Sequence, residues 1–375
     1  MGGACIACDP GLECRRGARH PILSAGFWQP AGLNSEAVVC DPPAACLGGL
    51  NSTCRDGHVG RACGSCNGTD YYKDAQTRLC EVCDEDTGSY WIMIAAAAVV
   101  LFALALPILA RVPADGSRHP AVVLPSIAMA VTWLQVLALV GTFSVDWPYH
   151  ARRVFTIASA AYLNSDLAQL PCALPAMTYY EQWRYEMMVP IVFGIFYLVV
   201  FGFFAAAATC CSCGAAGTRG ERIARGGRVI FSGYLFFVTM VYVFAARATL
   251  SFFNCIEQET GVFVLASSRA NVCYEEDWDE HRVIGIVGMA LYVAGIPLTM
   301  LGLLVWARFR PGVSKHGHGT GNEAVRHFGL LNFATRSYTG RFFWWELTVF
   351  LRKLLVVAAA LFLVERGQLQ VCLPV

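Results

Sequence analysis

Charged residues are scarce in this chain of 375 residues. Asp, Glu, Lys and Arg together make up 15% of the sequence, and the net charge is only +1. A chain with so little net charge has no bulk attraction for nucleic acid. Apolar residues make up 56% of the chain, well above the share in an ordinary soluble domain. This balance predicts a protein whose main partner is the lipid bilayer.

Catalytic signatures are also missing. The sequence holds no HExxH motif, no Ser/His/Asp set and no paired carboxylates within an apolar segment. We therefore expect no enzyme activity, no cofactor and no functional metal.

A secretory signal peptide is lacking as well, because Met1 runs directly into a cysteine-rich segment. Either the first apolar helix serves as its own insertion signal, or the true start is missing, and we favour a missing start. The sequence also stops abruptly after Cys372, just behind an apolar segment. We expect it to be truncated at the C-terminus.

Cysteine, in contrast, is concentrated at the N-terminal end. Ten of the 17 cysteines precede residue 84, where apolar residues are too few to build a core. Disulfides are the favoured interpretation, and they place residues 1–88 outside the cell or in an oxidising lumen. Zinc is the competing interpretation, because Cys5–Cys8, Cys63–Cys66 and Cys80–Cys83 are CxxC pairs.

Apolar segments dominate residues 89–375. Most are about as long as a helix that crosses a hydrocarbon core of roughly 30 Å. They are too long for membrane strands of about ten residues. They predict an all-α transmembrane bundle of about six spans, preceded by a small disulfide-rich ectodomain. The predicted spans are 90–110, 121–145, 187–209, 229–250, 283–307 and 342–364.

The sixth predicted span carries charges and has two interpretations. In one, the span is tilted, and Arg352 and Lys353 snorkel to the inner headgroups. In the other, Arg341–Lys353 is an amphipathic helix at the interface that leads into a short span. Residues 149–170 are predicted to form a further amphipathic surface helix, on the outer side.

Basic residues predict the orientation of the bundle. They are concentrated in the loops 111–120, 210–228 and 308–341, whereas the loop 251–281 has one base and seven acids. The positive-inside rule makes the first three loops cytoplasmic. The N-terminal module is then extracellular, and the localisation is the plasma membrane. Sequons at Asn51 and Asn67 are predicted glycosylation sites on this outer side.

Three further sets of residues are candidate sites. Gly295 and Pro297 lie near the middle of the fifth predicted span and form a candidate hinge, with a static bend as the alternative. Cys255 and Cys273 share the acidic outer loop and predict a disulfide. The third set is a juxtamembrane group of lipidation candidates, with unmodified cysteines as the alternative: Cys210, Cys211 and Cys213.

The segment from Cys54 to Cys80 has the cysteine spacing, glycines and tyrosines of a laminin-type EGF repeat. It runs Cys-Arg-Asp-Gly-His-Val-Gly-Arg-Ala-Cys-Gly-Ser-Cys and continues through Tyr71-Tyr72. This resemblance implies that Gly57 and Gly60 form tight turns. It also implies two disulfides, Cys54–Cys63 and Cys66–Cys80.

The helical part carries motifs that cover most of the chain. They are Trp133-Leu-Gln-Val-Leu137 with Asp146-Trp-Pro148, Gly295-Ile-Pro297 after Cys255 and Cys273, and Arg341-Phe-Phe-Trp-Trp-Glu346 with Leu351-Arg-Lys-Leu-Leu355. In these the chain resembles protist and algal multi-pass membrane proteins with an EGF-like ectodomain and a TRP-like bundle.

The resemblance implies a surface protein that conducts cations or senses a signal. The alternative is a non-conducting receptor or adhesion protein, with an extracellular ligand or matrix protein as partner. One departure matters. The loop between the fifth and sixth predicted spans is cytoplasmic, so it cannot hold an outer selectivity filter.

Overall fold

The chain forms two compact units. Unit 1 consists of Met1–Ile94, Asn164–Trp183 and Leu250–Gly285, and unit 2 of Ala95–Leu163, Arg184–Thr249 and Ile286–Val375. The N-terminal module thus shares unit 1 with two segments that the sequence assigns to the helical domain. The structure is a computed structural model, and it describes residues 10–14, 21–30, 36–50, 52–67, 70–74, 77–83, 123–143, 147–159, 172, 178–210, 219–259, 261–309 and 344–363.

The N-terminal module of unit 1 is built from two- and three-residue strands. They pair as antiparallel hairpins, β1 with β2, β3 with β4, β5 with β6, β7 with β8 and β9 with β10. Cysteines supply much of the buried centre, where Cys40, Cys46 and Cys63 are at most 2% exposed. The strands are β1 (Leu12–Glu13), β2 (Ile22–Leu23), β3 (Phe27–Trp28), β4 (Val38–Val39), β5 (Cys46–Gly48), β6 (Thr53–Cys54), β7 (His58–Val59), β8 (Ser65–Cys66), β9 (Tyr71–Lys73) and β10 (Cys80–Val82).

A three-stranded sheet forms the rest of the strand structure in unit 1. It consists of β11 (Cys255–Glu259), β12 (Val262–Leu265) and β13 (Ser268–Val272), in that order. Gly261, at φ +80°, makes the turn between the first two strands. The prediction of an all-α fold is therefore wrong. In these segments the apolar runs are too short to form helices. Their backbone groups pair instead in short hairpins, which disulfides and glycine turns close.

Helices make up the described part of unit 2 and reach into unit 1. Met289–Gly295 forms a π-helical turn between two helices, and the three together run from Glu276 to Phe309. The surface helix expected over 149–170 is present over Tyr149–Ser159, and residues 160–170 lie outside the described residues. The helices are α1 (Val123–Gly141), α2 (Tyr149–Ser159), α3 (Tyr179–Cys210), α4 (Arg219–Phe253), α5 (Glu276–Gly288), α6 (Ile296–Phe309) and α7 (Trp345–Phe362).

Two described segments are long and apolar enough to cross a membrane. Tyr179–Val200 and Glu276–Trp306 have mean hydropathies of 1.4 and 2.0 over their most apolar windows. Met129–Gly141 and Phe237–Phe253 are apolar but shorter. The described residues thus supply two of the six predicted spans by this measure. The predicted span 90–110 lies outside the described residues.

Candidate functional site

Disulfides organise unit 1, as the cysteine count predicts. Cys54–Cys63 and Cys66–Cys80 are the two bridges that the EGF-like resemblance implies. Cys255–Cys273 is the bridge expected in the acidic loop. Because these sulfurs are oxidised, the CxxC pairs Cys63–Cys66 and Cys80–Cys83 offer no thiolate to zinc. Among the described residues, the bridges with both cysteines in place are Cys40–Cys46, Cys54–Cys63, Cys66–Cys80, Cys83–Cys172 and Cys255–Cys273.

The turn at Gly57 requires glycine. Its φ is +80°, and a Cβ placed on it would lie 2.4 Å from the ring of Tyr71. Any side chain at this position would therefore strain the backbone and displace the tyrosine. Gly60 also has a positive φ, of +79°. Both glycines occupy the turns that the EGF-like resemblance implies.

His58 lies between two of the disulfides and is only 6% exposed. The amide of Cys80 donates to its Nε2 over 3.1 Å, so Nδ1 carries the proton and donates to the carbonyl of Cys63 at 2.9 Å. Burial lowers the pKa of the ring, and the nearby charges of Lys73 and Arg55 lower it further, against a raising contribution from the Cys63 carbonyl. His58 therefore joins two disulfide-bonded segments as a neutral ring.

The N-terminal module is held to the β11–β13 sheet within unit 1. Arg269 donates to the carbonyl of Val39 at 3.0 Å and lies 3.6 Å from the carboxylate of Asp41. The same carboxylate pairs with Arg78 at 3.0 Å. A Cβ at Gly64 would lie 3.1 Å from the amide of Ala270, so the two backbones are in close contact. The module is thus packed against the loop that follows α4.

A covalent link joins the module to a second loop. Cys83, at its C-terminal end, is bonded to Cys172, which precedes α3, over a sequence separation of 89. The sequence offered no partner for either cysteine, because nothing in their local spacing relates them. Two separate segments that lead into helices are therefore fastened to the N-terminal module, one by a disulfide and one by Arg269.

An aromatic cluster fixes the helix ends that belong to unit 1. Phe252, which is completely buried, stacks on Trp183 at 4.7 Å and on Trp278 at 5.2 Å between ring centroids. His281 stacks on Tyr180 at 4.6 Å. These contacts connect the start of α3, the end of α4 and the start of α5 through rings that bury large apolar areas.

In unit 2, the candidate hinge coincides with a change of helix type. The π-helical turn ends at Gly295, and Pro297 is the second residue of α6. Proline has no amide hydrogen, and its ring crowds the preceding turn, so a regular α-helix cannot pass through this position unchanged. Wider π-turns occur often at functional sites. The sequence located the break but not its π geometry.

Proline at position 297 has no amide hydrogen to donate to the carbonyl of Val293, and a tyrosine hydroxyl donates to that carbonyl instead. In a regular α-helix the amide of residue 297 would reach the carbonyl of Val293. The hydroxyl of Tyr242, on α4, donates to that carbonyl at 3.3 Å. Tyr242 is 1% exposed and meets Phe350 of α7 edge to face, at 4.8 Å between ring centroids.

The π-turn is also bonded to α3. Tyr292 donates its hydroxyl to the carbonyl of Met187 at 2.7 Å, on the turn of α3 that precedes Pro190. A Cβ at Gly288 would meet the terminal methyl of Met187 and lie 3.3 Å from the side chain of Thr249, so α3 and α4 both pack closely against this glycine. Among the described residues, the π-turn therefore has one tyrosine hydrogen bond to α3 and one to α4.

Lys353 was expected to snorkel in one of the two interpretations of α7, and that expectation is wrong. Its side chain is only 3% exposed, and Nζ donates to the carbonyl of Thr239 at 3.1 Å. Gln135, 1% exposed, donates to the adjacent carbonyl of Met240 at 2.6 Å. Arg352 is exposed and Lys353 is buried, because successive residues of a helix point about 100° apart.

The remaining predicted sites fall at the edges of the described structure. Asn67 is exposed and directly follows β8. Cys210 is the last residue of α3. Asn51, Cys211 and Cys213 lie outside the described residues.

Comparison with known proteins gave no match to any family model, curated protein or solved structure.

Proposed function

We propose that this chain is a multi-pass plasma-membrane protein of about six spans, a TRP-like cation channel or sensor with an extracellular EGF-like module. The cytoplasmic loops are the basic ones, 111–120, 210–228 and 308–341. The two long apolar segments, the disulfides and the exposed sequon Asn67 support this assignment.

One observation carries the sensing role. Within unit 1, the module is fastened both to the segment before α3, by Cys83–Cys172, and to the loop after α4, by Arg269. A module that served only as a spacer would need no attachment beyond its own chain connection. Because of these two further attachments, a displacement of the module would pull on the segment before α3 and on the loop between α4 and α5.

The π-turn beside Pro297 supplies an element that can respond. Its hydrogen bonds to α3 and α4 involve tyrosine hydroxyls, which exchange partners more easily than a ladder of backbone hydrogen bonds. A π-turn contains one residue more per hydrogen-bonded turn than an α-helix. A change from π to α geometry therefore rotates every later residue of α6 about the helix axis. This motion is the proposed gate.

A second function is favoured by the surface of the module. Leu47 and Leu50 are 58% and 73% exposed there, close together in sequence. Exposed apolar side chains at a protein surface suit contact with an extracellular ligand or matrix protein. The alternative is therefore a receptor or adhesion protein that the helices only anchor.

The test is electrical recording from the purified full chain in a planar bilayer, with steps of membrane tension. The channel proposal expects cation currents that open with tension. Replacing both Cys83 and Cys172 by serine should abolish the response to tension, while Thr77→Ala, which removes a hydrogen bond to Asp74 within the module and leaves both attachments in place, should retain it. A silent bilayer containing inserted protein contradicts the channel and favours the anchored receptor.

A further inference from the structure

An apolar cavity lies within unit 2, bounded by α3, α4 and the π-turn. Its volume is about 450 Å³, within the roughly 300–1,000 Å³ range of small-molecule sites. None of the described residues that line it is charged, and most are aliphatic or aromatic. The polar groups in its wall are the hydroxyls of two tyrosines and of Thr299. Because the rest of the wall is aliphatic or aromatic, the cavity favours an apolar occupant.

Two glycines help to form the recess. Gly194 faces Tyr234, and a Cβ at this position would lie 3.5 Å from the tyrosine hydroxyl, an ordinary contact distance. Gly295, the last residue of the π-turn, contributes to the opposite wall. A large side chain at position 194 would therefore occupy the cavity from the α3 side.

Exposed apolar side chains belong to the same wall. Ile195 and Leu198 of α3 are 56% and 70% exposed, and Leu291 of the π-turn is 50% exposed. These residues lie in Tyr179–Val200 and Glu276–Trp306, the two segments long and apolar enough to cross a membrane. If those segments span the bilayer, the cavity opens at the depth of the lipid chains.

We propose that a lipid acyl chain enters this cavity from the bilayer and packs against the π-turn. The inference rests on the proposed membrane location but not on conduction. A flexible chain of methylene groups matches an uncharged, mostly aliphatic wall, and its association is driven by van der Waals packing, since it leaves lipid and not water. Because the chain contacts Leu291 and Gly295, its presence stabilises the wide π geometry against the narrower α geometry.

The experiment uses a phosphatidylcholine with a diazirine in its acyl chain, incorporated into vesicles with the full chain. After illumination, mass spectrometry locates the adducts. We expect them to concentrate at Tyr234 and Leu198, relative to Leu298, which is 62% exposed and lies outside the cavity wall. Excess unlabelled oleic acid should lower the adducts at Tyr234 and leave those at Leu298 unchanged.

A matched pair of variants separates the cavity from the general lipid-facing surface. Gly194→Leu should lower adducts at Tyr234 about tenfold, the effect of about 1.4 kcal/mol of lost binding. Gly302→Leu is the control, because a Cβ at Gly302 meets nothing within 4 Å and this glycine does not line the cavity.

Labelling at Tyr234 that is no stronger than at Leu298, or that resists oleic acid, would mean surface contact with lipid only and overturn the proposal. Labelling that falls equally in both variants does the same. If Gly194→Leu fails to fold, the oleic acid competition on the unaltered chain decides. A silent bilayer in electrical recordings leaves these outcomes unaffected, so failure of the channel proposal is distinguished from failure of this one.

Discussion

Tyr242 donates its hydroxyl to the carbonyl of Val293, the acceptor that a regular helix would pair with the amide of residue 297. Position 297 is a proline, so a side chain on a different helix performs the role of the missing backbone donor. The break at Pro297 is thereby tied to α4, and through the ring contact with Phe350 to α7. A sequence feature that looks local is stabilised by residues far along the chain.

Replacing Tyr242 with phenylalanine should destabilise unit 2. The ring and its packing on Phe350 remain, while the Val293 carbonyl loses a donor, so the expected loss is about 0.6–1.5 kcal/mol. Thermal unfolding of the protein in nanodiscs measures it. Tyr197→Phe is the control, because the structure gives the Tyr197 hydroxyl no hydrogen bond to any described residue. Equal effects of the two changes would show that the Tyr242 hydroxyl contributes nothing.

Replacing Pro297 with alanine should convert part of the π-turn to α-helix. The new amide at residue 297 can reach the Val293 carbonyl and compete with Tyr242 for it. Hydrogen exchange at residues 293–299 should become slower, and any current should change its balance of open and closed states. Membrane insertion should persist, because the segment stays apolar.

The two substitutions at this break should also be coupled. Once alanine at 297 supplies an amide, Tyr242→Phe should cost less than it does with proline present, by about 0.5–1 kcal/mol. A double-mutant cycle on unfolding temperature tests this expectation. Strict additivity would show that the tyrosine and the proline do not share the carbonyl.

The module around His58 should lose stability in acid. Burial lowers the pKa of His58 below its usual 6.5, so the unfolded chain binds the proton more readily than the folded one. The contribution of neutral His58 to the stability of the module is complete above about pH 6.5. It is lost as the pH falls from 6.5 through the lower pKa of His58 in the folded state. Protonation also removes Nε2 as an acceptor for the Cys80 amide.

Hydrogen exchange across residues 54–83 at pH 7.5 and at pH 5 measures this effect. His58→Gln should be less stable at pH 7.5 and should lose the dependence on pH that His58 contributes. The exposed His150 provides the control, and His150→Gln should keep the full dependence. A pH profile of the His58 variant identical to that of the unaltered protein would refute the assignment.

Reduction should disorder the N-terminal module and spare the helices. The module buries cysteines where other domains bury large apolar side chains, and removing a native disulfide from a small domain typically costs about 2–5 kcal/mol. Hydrogen exchange after reduction should rise throughout residues 40–83 and stay low in α4 and α6. Mass spectrometry of the oxidised protein should recover a peptide pair linked through Cys83 and Cys172. Free thiols at these two cysteines would contradict the attachment.

The orientation is tested by glycosylation and proteolysis on cells. Asn67 should carry an oligosaccharide that Asn67→Gln removes, because this residue is exposed and the proposed topology places its module outside the cell. The basic loop 308–341 should be cleaved by added protease only after the membrane is permeabilised. Cleavage of this loop on intact cells would reverse the proposed topology.

Much of the architecture followed from local patterns. Long uncharged runs predicted helices at 187–209 and 283–307, and the structure has helical segments over both. Cys255 and Cys273 share one short loop, so their pairing required only proximity along the chain. The glycine and cysteine spacing between Cys54 and Cys80 likewise reflects short-range geometry, in which a positive φ or a nearby sulfur leaves few arrangements.

Patterns along the sequence determined that this chain has a disulfide-rich module, long apolar helices and a break at Pro297. Tertiary structure alone decided that Cys83 bonds to Cys172 and that Tyr242 serves the Val293 carbonyl. It also decided that Lys353 turns inward and that residues 255–272 form a sheet rather than a helix or an open loop. The physical reason is distance along the chain. Apolar runs, turns and nearby cysteines depend on neighbouring residues, whereas the partner of a lone cysteine, hydroxyl or ammonium group depends on which distant segments the packed fold brings together.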